Sequence, residues 1–199
     1  MTTPLSISGP LAGIRVVDLS NIISGPLATM ILGDQGADVI KVEAPGMGDP
    51  IRMFGAMRGG LSSTFVSLNR SKRSIVVDLR RETGREILRR LLRGADVLVQ
   101  NFRPGVLERL GFGYEAVRAL APDVVYASIS GFGEHGPFAD RPVYDNVIQA
   151  MSGFAAVQAD PDTGTPELVR NLALDKATAY TVAQAVTAAL LARARGRGG

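Results

Sequence analysis

The run from Leu11 to Arg52 constrains the fold more tightly than any other part of the chain, because it encodes a strand, a tight turn, a helix and a second strand in succession. Ile14 to Leu19 is a short apolar run that carries Asp18, and Gly25-Pro26 supplies a turn with a proline suited to a first helical position. Pro26 to Leu32 is compatible with a helix. Gly36 ends it, since a residue without a Cβ takes the left-handed conformation common just past a helix end. Val39 to Val42 then restarts as a β-branched strand of the kind buried in parallel sheets.

The joint at the end of that first helix recurs. Gly36-Ala37-Asp38-Val39, Gly94-Ala95-Asp96-Val97 and Ala121-Pro122-Asp123-Val124 each lead into an apolar strand, VIKV, VLVQ and VVYASIS. The chain therefore reads as repeated βα units: an α/β fold with a Rossmann-like open parallel sheet and flanking helices. Further strands are predicted at Phe65 to Leu68 and Ser74 to Asp78, and short helices at Gly105 to Leu110 and Tyr114 to Leu120. A helical segment from Tyr144 to Gly153 and a polar loop from Asp160 to Pro166 precede a long helix rich in alanine and leucine, which starts close to Asp175.

Composition matters chiefly for the chemistry it excludes. An apolar content of 46% over 199 residues supports a proper core. The lack of a run of about 18 apolar residues and of a charged-then-apolar leader argues against a membrane span or a secretory signal. A soluble, cytoplasmic protein with no membrane partner is expected. Without cysteine there is no disulfide framework, thiol nucleophile or zinc-thiolate site, and a single histidine rules out a multi-histidine metal centre within the chain. No metal is expected, and any catalysis must draw on carboxylates, hydroxyls or lysines.

The net charge of +3 is mild, but basic residues crowd the segment from Arg70 to Arg109. Arg85, Arg89, Arg90 and Arg93 suit the solvated face of a helix whose apolar side is Ile87, Leu88, Leu91 and Leu92. Arg70, Lys72, Arg73, Arg80 and Arg109 fall nearer strand ends and turns, where a phosphate is a natural ligand. Arg193, Arg195 and Arg197 suit the negative end of the last helix, and no nucleic acid partner is expected. Lys41 and Glu43 read as structural, paired charges at a strand end.

Neither GxGxxG nor GxxxxGK[ST] is present, so the common nucleotide fingerprints do not apply. The loops at predicted strand C-termini are Asn21 to Gly25, Asn101 to Gly105 and Gly131 to Pro137. Ligands of open α/β sheets bind at that edge.

Six segments, GPLATMILGDQGADVIKVEAPGMGDPIR, LNRSKRSIVVDL, GADVLVQNFRPGVLERLGFGYE, ISGFGEHGP, VYDNVIQAMSG and NLALDKATAYTVAQAVTAALLAR, occur in this order along essentially the whole chain. Together they resemble the class III coenzyme A transferase family, of the formyl-CoA and carnitine-CoA transferase type. The resemblance implies an enzyme that moves coenzyme A between an acyl-CoA thioester and a carboxylic acid, its small-molecule partners. It implies Asp175 as nucleophile, through a mixed anhydride and an aspartyl-CoA thioester. Local sequence alone would make Asp175 a helix N-cap.

By position, the resemblance also assigns coenzyme A contacts. Ile22 and Ser24 match main-chain contacts, and Val77, Arg80, Asn101, Phe102, Arg109 and Leu110 match the adenosine and phosphate pocket. The residue types suit those roles: Phe102 for stacking on a base, Arg80 and Arg109 for phosphate oxygens, Asn101 as both donor and acceptor. Tyr144 suits a hydrogen bond to the substrate carboxylate or an oxyanion. It stands where the related α-methylacyl-CoA racemases carry a histidine base, and a tyrosine with an ordinary pKa near 10 is a poor base at neutral pH.

Several positions depart from the formyl-CoA transferase branch. Ile23 replaces a glutamine, Ala44 an arginine and Pro142 a lysine, while Lys176-Ala177-Thr178-Ala179 replaces a glycine-rich run. The acyl group and the acceptor acid are left open. Family members are longer interlocked homodimers. Residues 1–199 are accordingly expected to be the N-terminal part of the large, coenzyme A-binding domain, without the small domain and returning C-terminal segment. Alone, such a chain is expected to be weakly active or inactive, or to serve as a non-catalytic coenzyme A-binding fragment.

Overall fold

A computed structural model describes residues 8–197. Five parallel strands form the central sheet: β1 (Arg15–Asp18), β2 (Asp38–Glu43), β5 (Lys72–Val76), β6 (Val97–Gln100) and β7 (Val125–Ser128). Between β2 and β5 lies a two-stranded hairpin of β3 (Met57–Arg58) and β4 (Leu61–Ser62). The sheet order is β5-β2-β1-β6-β7. The chain thus winds outward in one direction from β1 through β2 to β5, then returns to the other side of β1 for β6 and β7. Such a reversal leaves a crevice beyond the C-terminal ends of β1 and β6, where no crossover covers the sheet edge.

Alternation along the strands builds two cores. Val17 of β1 and Leu98 of β6 face one layer, with Leu88 and Leu92 from α3 (Glu82–Leu92) and Val117 from α5 (Tyr114–Leu120). Leu107 of α4 (Val106–Arg109) and Phe112 complete that layer. Val16, Val97 and Val99 face the other, against Leu32 of α1 (Ser24–Asp34) and Ala183, Val186 and Leu190 of α8 (Ala173–Ala194). A strand exposes its two faces alternately, so consecutive valines of β1 serve opposite layers. The arginines of α3 lie on its outer side among Glu82 and Glu86, as its spacing predicts.

The predicted order of βα units holds, with one correction. Phe65 to Leu68 is not a strand but the middle of α2 (Ser63–Asn69). Ser62 caps this helix, its hydroxyl accepting from the Phe65 N–H at 3.1 Å, and a short apolar run is readable as either element from periodicity alone. β5 also begins two residues earlier than Ser74, and β7 ends before Ile129. Gly36 adopts φ 98°, the left-handed conformation predicted for it. Two further short helices, α6 (Asp145–Met151) and α7 (Phe154–Val157), bring the chain back to the open edge before α8. No helix among the described residues is long and apolar enough to cross a membrane.

Candidate active site

A cleft of about 340 Å³ occupies the crevice at the ends of β1 and β6. One wall is the loop after β1, represented by Asn21, Ile22 and Ser24, with Asn101 and Phe102 after β6 beside it. The opposite wall comprises residues 141–145 and the start of α8, with Leu174, Asp175 and Thr178. A volume of this size suits part of an extended ligand.

The first wall is held through its backbone groups by side chains from other loops. Asn101 brackets Asn21, its Oδ1 accepting from the Asn21 N–H and its Nδ2 donating to the Asn21 carbonyl, both at 2.8 Å. The Ile22 N–H donates to Asp49 Oδ1 at 3.0 Å. Ile22 sits at φ 70°, a left-handed conformation that strains a β-branched residue by about 1–3 kcal/mol and persists only where its surroundings hold it. Gly25 lets α1 begin immediately behind this loop, since a Cβ there would lie 2.2 Å from that of Ser20. No side chain caps the first turn of α1.

Beneath the loop runs a buried chain of alternating charges. Lys72 Nζ lies 2.9 Å from Asp18 Oδ2 and also donates to the Pro26 carbonyl and Asn69 Oδ1, each at 2.8 Å. Asp18 further accepts from the Ser20 backbone and hydroxyl and from Thr29 Oγ1. Lys41 Nζ donates to the Ser20 carbonyl at 2.9 Å and lies 2.9 Å from Asp49 Oδ2 in an ion pair that is off the line of a hydrogen bond. Burial would raise the Asp18 carboxyl, but Lys72 and Lys41 outweigh it and hold the pKa down at about 2. Burial pushes Lys72 the other way, down to about 8, against the pull of Asp18. Lys41 and Glu43 are therefore not paired with each other. Glu43 instead holds Arg52 at 2.7 Å and accepts from Ser74 and the Asp49 N–H.

The second wall depends on Asp145. This buried residue accepts the Leu174 and Asp175 N–H groups on Oδ1, at 2.7 and 2.8 Å, so it supplies a negative charge to the first turn of α8. Gln149, one turn further along α6, donates to its Oδ2. Asp175 is thus not the N-cap that local sequence suggests; Leu172 holds that place, and the Asp175 side chain lines the cleft beside the Ser24 hydroxyl. Burial, then the neighbouring Asp145 charge, raises the Asp175 carboxyl above the usual range, with the Ser24 hydroxyl working against them. Tyr144 lines the cleft at 70% exposure.

The structure gathers Ile22, Ser24, Asn101, Phe102, Tyr144 and Asp175 around the one cleft. The remaining sequence candidates lie away from it. Val77 is buried, with Leu110 and Phe102 packed against the same core. Arg80 is exposed and engages Asp78 through Nε at 2.9 Å, and Arg109 lies on the outer face of α4 with Nη1 near Gly105. Sequence reasoning missed Asp145 and Asp49. Each carried a local signal: Asp145 opens a predicted helix, and Asp49 sits in a Gly-Asp-Pro turn.

The sequence profile described as CoA-transferase family III matches residues 11–199. An acetyl-CoA:oxalate CoA-transferase from Acetobacter aceti is 47% identical over 173 residues, covering 87% of this chain and 44% of that protein. A succinyl-CoA:glutarate CoA-transferase from Mus musculus is 42% identical over 187 residues, covering 94% of this chain and 43% of its own length. Among solved structures, a CAIB/BAIF family protein from Brucella suis superposes with a TM-score of 0.90 at 41% identity, over 96% of this chain and 51% of that one. The chain spans about half the length of the curated relatives it matches. The ordered motifs, the sheet with its open edge and these matches agree, and the chain belongs to CoA-transferase family III.

Proposed function

We propose that the protein transfers coenzyme A from an acyl-CoA thioester to a carboxylic acid, with Asp175 as the nucleophile. The observation that carries this reading is a half-buried carboxylate at the first turn of α8, facing the loop after β1 across a cleft at the sheet's switch point. The names of the relatives support the reaction class. They differ in both donor and acceptor, so the acyl group and acid stay unassigned.

In this mechanism an Asp175 oxygen attacks the thioester carbonyl, the C–S bond breaks, and coenzyme A leaves as a thiolate while a mixed anhydride forms. The thiolate attacks the aspartyl carbonyl, releasing the donor acid and leaving an aspartyl-CoA thioester. The acceptor carboxylate displaces the thiolate again to form a second anhydride. Attack of the thiolate on the acceptor's carbonyl then yields the new acyl-CoA and restores Asp175. No proton transfer is needed in this sequence, which fits a cleft without a histidine. Ile22 and Ser24 contact the cofactor through their main chain, Asn101 and Phe102 at the cleft and Val77, Arg80, Arg109 and Leu110 outside it form the adenosine and phosphate pocket, and Tyr144 hydrogen-bonds the developing oxyanion. The complete protein works as an interlocked homodimer in the cytoplasm, and residues 1–199 form the N-terminal part of its large domain.

Hydroxylamine trapping tests the covalent step. Full-length protein incubated with acyl-CoA and then hydroxylamine is expected to carry the modification on the peptide containing Asp175, and Asp175→Ala to lower transfer by about a thousandfold or more. Modification of another peptide, together with an active Asp175→Ala variant, overturns the assignment. Solvent deuterium entering the α carbon without any acyl transfer would mark a racemase instead.

A further inference from the structure

We infer that Asp49 is a positioning residue of the cleft: with Lys41 as its countercharge, it locks Ile22 in the left-handed conformation that shapes the wall facing Asp175. The inference rests on the proposed function for its kinetic consequence, and on geometry for the lock itself. Asp49 lies outside the cleft lining and touches the site only through Ile22. Its side chain is fully buried, and its two oxygens have different tasks. Oδ1 accepts from the Ile22 N–H and from the Ile51 N–H, both at 3.0 Å, while Oδ2 faces Lys41 Nζ at 2.9 Å.

The lock has a reason to exist. Ile22 is one of only two non-glycine residues at positive φ among those described, and it is the one in the cleft wall. A β-branched residue does not hold that conformation unaided. Asn101 brackets the Asn21 N–H and carbonyl and Lys41 holds the Ser20 carbonyl, and the Ile22 N–H is the handle by which Asp49 holds the residue at positive φ itself. A neutral acceptor would serve the N–H but leave Lys41 buried without its nearest countercharge. A carboxylate does both. Asp49 also caps the 3-10 turn Pro50–Met53, and its own N–H donates to Glu43 Oε2 at 3.0 Å, so the lock is anchored to the end of β2.

A four-member cycle in the full-length protein tests the inference: wild type, Asp49→Ala, Ile22→Gly and the double variant. Asp49→Ala is expected to speed amide exchange across residues 20–24 by about tenfold or more and to raise KM for acyl-CoA by about tenfold, with kcat within about threefold. In the Ile22→Gly background the same substitution is expected to raise KM by less than about threefold, because glycine reaches the left-handed conformation without help. A merely structural Asp49 would produce equal losses in both backgrounds, and that result overturns the inference. So does a fall in kcat with KM unchanged. Should Asp49→Ala not fold, Asp49→Asn enters the same cycle and is expected to show the same dependence on residue 22 at smaller amplitude. The exchange measurement needs no coenzyme A. A protein without transferase activity whose loop is protected through Asp49 sinks the functional reading and keeps the lock, whereas an active enzyme with an unprotected Ile22 amide sinks the lock and keeps the function.

Discussion

The two walls of the cleft are built on opposite principles. Under the loop after β1, four buried charges alternate in sign, and nearly every polar group has a partner. The wall that carries Asp175 has a single buried carboxylate, Asp145, behind it and a mostly exposed Tyr144 in front. Buried ion pairs contribute little net stability compared with apolar packing, but they fix geometry because breaking one leaves an unpaired charge. The first wall is therefore suited to hold a ligand in one place. The second places a carboxylate beside another carboxylate, which disfavours charge on Asp175 and makes it a better nucleophile than a fully solvated aspartate.

The sharpest way to break that contrast is to remove a cation from the first wall. Lys72→Met leaves Asp18 with Lys41, at 4.0 Å, as its one neighbouring cation and is expected to cost about 3–5 kcal/mol in urea unfolding. Acid titration should expose the same pair. A carboxyl lowered from 3.8 to about 2 stabilises the fold above its unfolded pKa and loses that contribution as pH falls through the folded value. Ionised Asp18 in the wild type thus stabilises the fold at neutral pH, and that contribution is lost between about pH 4 and pH 2. In Lys72→Met the loss should begin at higher pH. A variant that unfolds within about 1 kcal/mol of wild type would show that the wall does not depend on its charges.

The second wall is sharpened by Asp145→Asn. The amide oxygen still accepts from Leu174 and Asp175, but the charge beside Asp175 is gone, and Gln149 Nε2 loses a carboxylate acceptor at a cost of about 1–2 kcal/mol. In the proposed mechanism Asp175 attacks as the carboxylate, so its raised pKa is expected to make activity fall as pH falls through that value. Removing the Asp145 contribution lowers the Asp175 pKa, so the acid limb of kcat against pH should move to lower pH. The shift is partial, because burial is the larger cause and stays. An unmoved limb would mean that the two carboxylates are not coupled.

What was legible in the sequence follows the same division. The βα order was readable because parallel strands are continuous apolar runs and the Gly-Ala-Asp-Val joints punctuate them, and the start of the long helix close to Asp175 was readable from the alanine- and leucine-rich run after it. Phe65 to Leu68 was misread because one serine cap decides between helix and strand there. The buried charges were hidden for a different reason. Asp18, Lys41, Asp49 and Lys72 are spread over 55 residues and meet only because β1, β2 and β5 are neighbours in the sheet, a pairing that no local pattern encodes. Lys41 and Glu43 illustrate it well: adjacent on one strand by alternation, they look like partners, yet one faces Asp49 and the other Arg52.

The smallest effect expected concerns Arg80, which tests whether binding extends beyond both walls. Its side chain is 82% exposed and its guanidinium engages Asp78 two residues away, so its loss should leave folding unchanged. Water and salt weaken such a pair, and the same guanidinium is free to turn toward a phosphate passing over the surface. Arg80→Ala is therefore expected to raise KM for acyl-CoA by about threefold at low ionic strength, with kcat unchanged, and by less than that at about 0.5 M salt, where screening removes the attraction. A KM that ignores both the substitution and the salt would remove Arg80 from the phosphate contacts.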